Sequence, residues 1–168
     1  MDLQQLSDRA EILDCMHRYA RGMDRHDREL ARSAYHDDAI DDHLAYSGPV
    51  DGFLDYGFDY NATFVRHQHY ITNHTVEIDG DEAHAETYFL FVGTARTLEA
   101  PMTVFGGRYV DRLERRGGRW AISARRCLVE WSTSLASLLP VEGVGVGGTV
   151  ARDRTDASYE RPLHIPDR

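Results

Sequence analysis

The stretch from Tyr70 to Trp131 constrains the fold most, because it divides into four strand-like segments separated by sharp turns. Tyr70 to Ile78 ends at Asp79-Gly80, a dipeptide suited to a hairpin turn. Ala83 to Leu98 mixes apolar with small residues, and Met102 to Glu114 runs into a second turn at Arg116-Gly117-Gly118. Trp120 to Trp131 closes the series. Gly106-Gly107 inside a strand predicts a bulge or strong bend, the device that curls a sheet into a cup. A chain with this half must build a strongly curved antiparallel meander and cover one of its faces.

The cover comes from the first half. Ile12, Leu13, Met16, Ala20 and Met23 recur at helical spacing between Ser7 and Met23, with Gly22 near the helix end. Asp24 and Asp27 bracket a short link to a second helix over roughly Asp27 to Tyr35. A third, rich in aromatics, spans about Asp51 to Arg66 and carries Phe53, Leu54, Tyr56, Phe58, Tyr60 and Phe64. Between them the acidic segment His36 to His43 suggests a solvated strand edge, since sequential carboxylates in a strand point to alternating faces. Helices first and strands after define an α+β class. Residues 1–139 form one domain and residues 140–168 a tail of different composition, flexible or covering a cavity. In the tail, Gly143 to Gly148 satisfies a GxGxxG pattern, but too few residues follow to complete a βαβ unit, so no dinucleotide is expected there.

Composition excludes several functions. A net charge of −9 opposes nucleic-acid binding, which needs a basic stripe. All 19 basic residues are Arg; with no Lys there is neither a Schiff base nor a P-loop lysine. Two cysteines, Cys15 and Cys127, signal neither a disulfide framework nor a zinc ribbon. No signal-peptide core and no membrane-spanning run is apparent, so a cytoplasmic protein is expected.

Chemistry concentrates in two segments, Tyr19 to Asp27 and Ile71 to Ile78. An aspartate at a helix C-terminus is electrostatically unwelcome, so either a capping role or a partnered cation must hold Asp24. His74, on a strand face shared with Tyr70, Thr72 and Val76, is the expected partner. Asp24 would orient the imidazole and steady its cation, making a base that removes a proton from carbon with no metal or coenzyme, and Tyr19 would add a hydroxyl. His67 and His69 at i, i+2 hint at zinc, but neither cysteine is near, no HExxH helix exists, and the three histidines share no obvious face; no metal is expected. No GxSxG elbow supports a serine nucleophile.

The run Y-A-R-G-M-D-R-H-D, the sequence Asp37-Asp38-Ala39, the strand T-N-H-T-V-E-I-D-G and the segment Gly107 to Ser123 resemble the SnoaL-like, scytalone dehydratase-like superfamily. The resemblance covers about Leu6 to Trp131. It implies a cone of helices closing a bent sheet over an apolar cavity, and it is nearest the branch of hexachlorocyclohexane dehydrochlorinase and the bile-acid 7α-dehydratases. That branch implies elimination by an Asp–His dyad, matched here to Asp24 and His74 with Tyr19 beside them, and a pocket arginine at Arg125. Tyr46, Tyr56, Phe64 and Trp131 are the expected walls. The implied function is a cofactor-independent lyase acting on a hydrophobic cyclic molecule, steroid-like or polycyclic. The alternatives are an isomerase of the ketosteroid type and a non-catalytic subunit like that of ring-hydroxylating dioxygenases. A homodimer or trimer through the outer sheet face is implied, with no membrane or nucleic-acid partner.

Overall fold

The computed structural model describes residues 1–43, 45–95, 102–135 and 153–155. The domain boundary expected near residue 140 and the Gly143 to Gly148 run lie outside the described residues. Helix α1 (Leu3–Arg25) begins at a capping box in which Asp2 accepts from the Gln5 amide and the Gln5 side chain accepts from Asp2, which satisfies two otherwise orphan donors. It ends where His26 takes a left-handed conformation at φ 52°. Asp27 then caps the short helix α2 (Arg28–Arg32) through the Leu30 amide at 3.1 Å. The two helices touch at Gly22, where a Cβ would lie 2.4 Å from the Ala31 nitrogen, so only glycine permits the approach.

Strand β1 (Tyr35–His43), strand β2 (Tyr46–Pro49) and helix α3 (Val50–Ala62) follow, then strands β3 (Phe64–Asp79), β4 (Glu82–Ala95), β5 (Met102–Arg116) and β6 (Arg119–Leu135). The sheet order is β2-β1-β6-β5-β4-β3. The β3–β6 meander is antiparallel, as its turns predict, but β1 joins β6 in parallel. The expected Gly106-Gly107 irregularity is present, a register shift against β6. A Cβ at Gly107 would sit 1.9 Å from the Leu128 carbonyl oxygen. α1 and α3 cover the concave face, and one core of Ile12, Met16, Tyr19, Tyr35, Phe53, Leu54, Phe91, Tyr109, Trp120 and Ile122 lies between the layers.

Three expectations differ. The acidic segment is not a solvated edge: β1 lies between β2 and β6, and Ala39, Asp41 and His43 are buried while Ile40 is exposed. The third helix stops at Ala62, so residues 64–69 are strand. β3 also does not keep one face throughout. Between Ile71 and His74 it carries one residue more than its partner, Ile71 pairing Phe89 and His74 pairing Thr87. That bulge reverses the parity of the inward positions, from His67, His69 and Ile71 before it to His74, Val76 and Ile78 after it.

Candidate functional site

Asp24 occupies the last turn of α1, where unpaired helix carbonyls disfavour its charge. It is held from β3: the His69 amide donates to both carboxylate oxygens at 3.2 and 3.0 Å, and His69 Nδ1 lies 2.6 Å from Oδ1. The His67 Nε2 atom is 3.6 Å from the same oxygen and 3.2 Å from the Met23 carbonyl oxygen. Asp24 therefore has the partner it requires, but that partner is His69 and not His74.

His74 lies further toward the start of α1. Its Nδ1 meets the Thr87 hydroxyl at 2.8 Å, and it lines a separate groove with Arg9, Glu77 and His84. Arg9 and His17 are the helix residues whose charge it feels; even His17 is about 10 Å along the helix axis from Asp24. Burial and those two cationic neighbours hold the His74 imidazole below its ordinary value. The expected Asp24–His74 pairing is thus corrected to Asp24–His69, because His74 lies five residues further along β3, roughly 16 Å of strand.

A narrow cavity of about 20 Å³ lies under α1 and α3. Its lining includes Tyr19, Met23, His43, Phe53, Tyr56, Tyr60, Asn61, His69, Phe91, Phe105 and Tyr109. Tyr19 and Tyr56 are both among these lining residues. Phe64 packs behind the wall, against Tyr60, Phe91 and His67. Tyr46 stacks outside on Tyr56 and hydrogen-bonds the Pro49 carbonyl oxygen at 2.8 Å. Trp131 is 51% exposed on the outer sheet face, where it covers Gly106. Arg125 does not line the cavity. It lies beneath it, bidentate to Asp111 at 2.7 and 2.9 Å, with its guanidinium 4.4 Å from the Tyr19 ring centre and 4.2 Å from that of Tyr109.

Burial raises the Tyr19 hydroxyl far above its usual range, with the nearby Arg125 charge only partly opposing it. Tyr19 therefore remains a protonated donor. Tyr109 behaves alike for the same reason.

The ligand atoms of Asp24, His67 and His69 lie within 4.8 Å of one another, a set able to hold a divalent cation. Sequence reasoning kept His67 and His69 apart from Asp24. Their i, i+2 spacing, which places both on one strand face, was the signal that could have joined them.

An α+β cone closed over an aromatic cavity, with an imidazole–carboxylate pair in its wall, defines a class of small-molecule-binding folds. Within that class the chain belongs to the SnoaL-like domain family, which matches residues 4–126. Among solved structures it is similar to the hexachlorocyclohexane dehydrochlorinase LinA-type3 of Novosphingobium barchaimii LL02. There the identity is 24%, over 84% of this chain and 99% of that one, with a TM-score of 0.75. A structure of LinA is 25% identical over 82% and 95% of the two chains, with a TM-score of 0.74. A cystatin-like protein of unknown function from Nostoc punctiforme has a TM-score of 0.64 at 20% identity, over 77% and 96%. No curated protein matches the chain at a significant level.

Proposed function

We propose that the chain is a cofactor-independent lyase whose base is His69, oriented by Asp24. The observation that carries this reading is the 2.6 Å contact between His69 Nδ1 and Asp24 Oδ1 at the wall of an aromatic cavity. With Nδ1–H donated to the carboxylate, Nε2 is the nitrogen free to take a proton, and Asp24 stabilises the imidazolium that forms. The electrons of the broken C–H bond become the new double bond as the bond to a neighbouring hydroxyl or halide breaks. Tyr19 supplies a donor to the oxygen or halide on which negative charge develops. The aromatic walls suit a cyclic, largely apolar substrate, and the likeness to dehydrochlorinases supports elimination over other chemistry.

The test is a substrate screen followed by substitution. Hydroxy-ketones are followed by conjugated-enone absorbance, and γ-hexachlorocyclohexane by chloride release. On any substrate found, His69→Ala and Asp24→Asn should each lower turnover by about 10²–10⁴-fold with the circular dichroism of the native fold retained. His74→Ala should keep near-normal turnover. Activity that survives His69→Ala ends this reading. Turnover should also survive EDTA; loss to the chelator with recovery on Zn²⁺ would move the chemistry to a metal held by Asp24, His67 and His69.

A homo-oligomer through the outer sheet face belongs to the same reading. It is supported by Tyr70, Tyr88, Val110 and Trp131, large apolar side chains exposed there.

A further inference from the structure

A second imidazole–carboxylate pair faces the cavity, from the strand whose acidic sequence suggested a solvent edge. His43 Nδ1 lies 3.2 Å from Asp41 Oδ1, and Asp41 is wholly buried. The other Asp41 oxygen accepts from the Tyr35 hydroxyl at 2.8 Å, and that hydroxyl accepts from Arg125 Nη1 at 3.1 Å. Arg125 is fixed in turn by Asp111. The His43 ring lies parallel to Phe53, with centres 4.6 Å apart. Position and orientation of this imidazole are therefore set by a chain of buried polar contacts and by stacking.

The chain also fixes its tautomer. A carboxylate that accepts from Tyr35 on one oxygen takes the Nδ1 hydrogen of His43 on the other, so Nε2 is the ring nitrogen left to meet a ligand. His43 and His69 line the same cavity and are linked along its wall by ring contacts: His43 is 5.9 Å from Tyr109, Tyr109 is 5.6 Å from Tyr19, and Tyr19 is 6.2 Å from His69. Phe53, Phe91 and Phe105 complete an apolar slot between two acceptors.

We propose that His43 is a second ligand-anchoring residue. Its Nε2 accepts a hydrogen bond from a hydroxyl on a planar aromatic or polycyclic ligand, while a polar group at the other end of that ligand meets His69. The assignment rests on the proposed function only in taking this cavity as the ligand site; it does not require Asp24 and His69 to perform chemistry. It narrows the substrate class from any apolar ring to one carrying oxygen functions at two separated positions.

Binding to the full chain tests it, measured by calorimetry with 2,6-dihydroxynaphthalene and with 2,6-dimethoxynaphthalene, whose ether oxygens cannot donate. The wild-type chain should hold the diol about tenfold tighter, the worth of one well-made hydrogen bond. His43→Phe, which keeps the stack on Phe53, should bring the two affinities together by weakening the diol alone. In ¹⁵N-edited spectra of the wild type, diol binding should shift His43 Nε2. That readout decides the matter even if the variant fails to fold. A diol preference that persists in His43→Phe, an unmoved Nε2 signal, or no binding of the diol at millimolar concentration overturns the proposal. Should His69→Ala leave turnover intact while the diol still depends on His43, the dyad falls and this assignment stands.

Discussion

At the residue scale the decisive feature is which histidine meets Asp24. That an aspartate at the end of α1 needs a partner follows from helix electrostatics alone, and the partner is supplied by the His69 amide and ring together. The choice of His74 fails for a geometric reason: it lies five residues beyond His69 on β3, roughly 16 Å along the strand, beside Thr87 and near Arg9. The pH dependence of stability checks this placement. The His74 imidazole is held below its ordinary value, first by desolvation and then by His17 and Arg9. The unfolded chain therefore binds this proton more readily than the native protein does. The contribution is intact above about pH 6.5 and is lost as pH falls from there through the lowered native value. Melting temperature should decline less between about pH 7 and pH 5 in His74→Gln than in the wild type. Equal slopes would place His74 in solvent. Tyr19→Phe, which removes the hydroxyl and keeps the ring packed against His69, should lower turnover by about tenfold or more with little change in melting temperature.

At the element scale, strand bounds and bulges control which chemistry faces inward. An aromatic-rich helix drawn to Arg66 and a strand begun only at Tyr70 left out the first six residues of β3, and with them the inward alternation of His67 and His69. In β1 the pattern misleads in the other direction, since Ile40 is exposed and Asp41 buried. No sequence rule for hydrophobic alternation favours that orientation; it holds because Tyr35 and His43 satisfy both Asp41 oxygens. The glycine device in β5, by contrast, was legible, because a Gly-Gly pair inside a strand has few other uses. Gly107→Ala would drive a methyl into the Leu128 carbonyl oxygen. It should destabilise the fold by about 1–3 kcal/mol, measured by denaturant unfolding; a neutral effect would show that β6 yields easily at this point.

At the scale of the whole molecule, the Arg125–Asp111 pair ties the sheet to the helical layer. Both side chains are fully buried, and Arg125 also reaches Tyr35, the sulfur of Met16 on α1 and the faces of Tyr19 and Tyr109. Desolvation pushes the Asp111 carboxyl up, although the guanidinium opposes it. Removing one partner leaves the other charge uncompensated. Asp111→Ala should therefore cost about 3–5 kcal/mol, while the paired replacement of Arg125 by Met and Asp111 by Leu should recover most of that loss. If the single and double variants unfold at the same denaturant concentration, the ion pair is not what couples the layers.

By itself the sequence determined the layer plan: an amphipathic opening helix, a four-strand run with its turns, the bend at Gly106-Gly107, the family, and Asp24 as a charge in need of a partner. These are properties of local periodicity, turn chemistry and helix electrostatics, which act over a few residues. Only the tertiary structure decided that His69 answers Asp24, that Arg125 lies under the cavity and Trp131 outside the sheet, and that Asp41 and His43 turn inward from β1. Each of those outcomes depends on register between segments distant in the chain, where a single added residue exchanges the two faces of a strand.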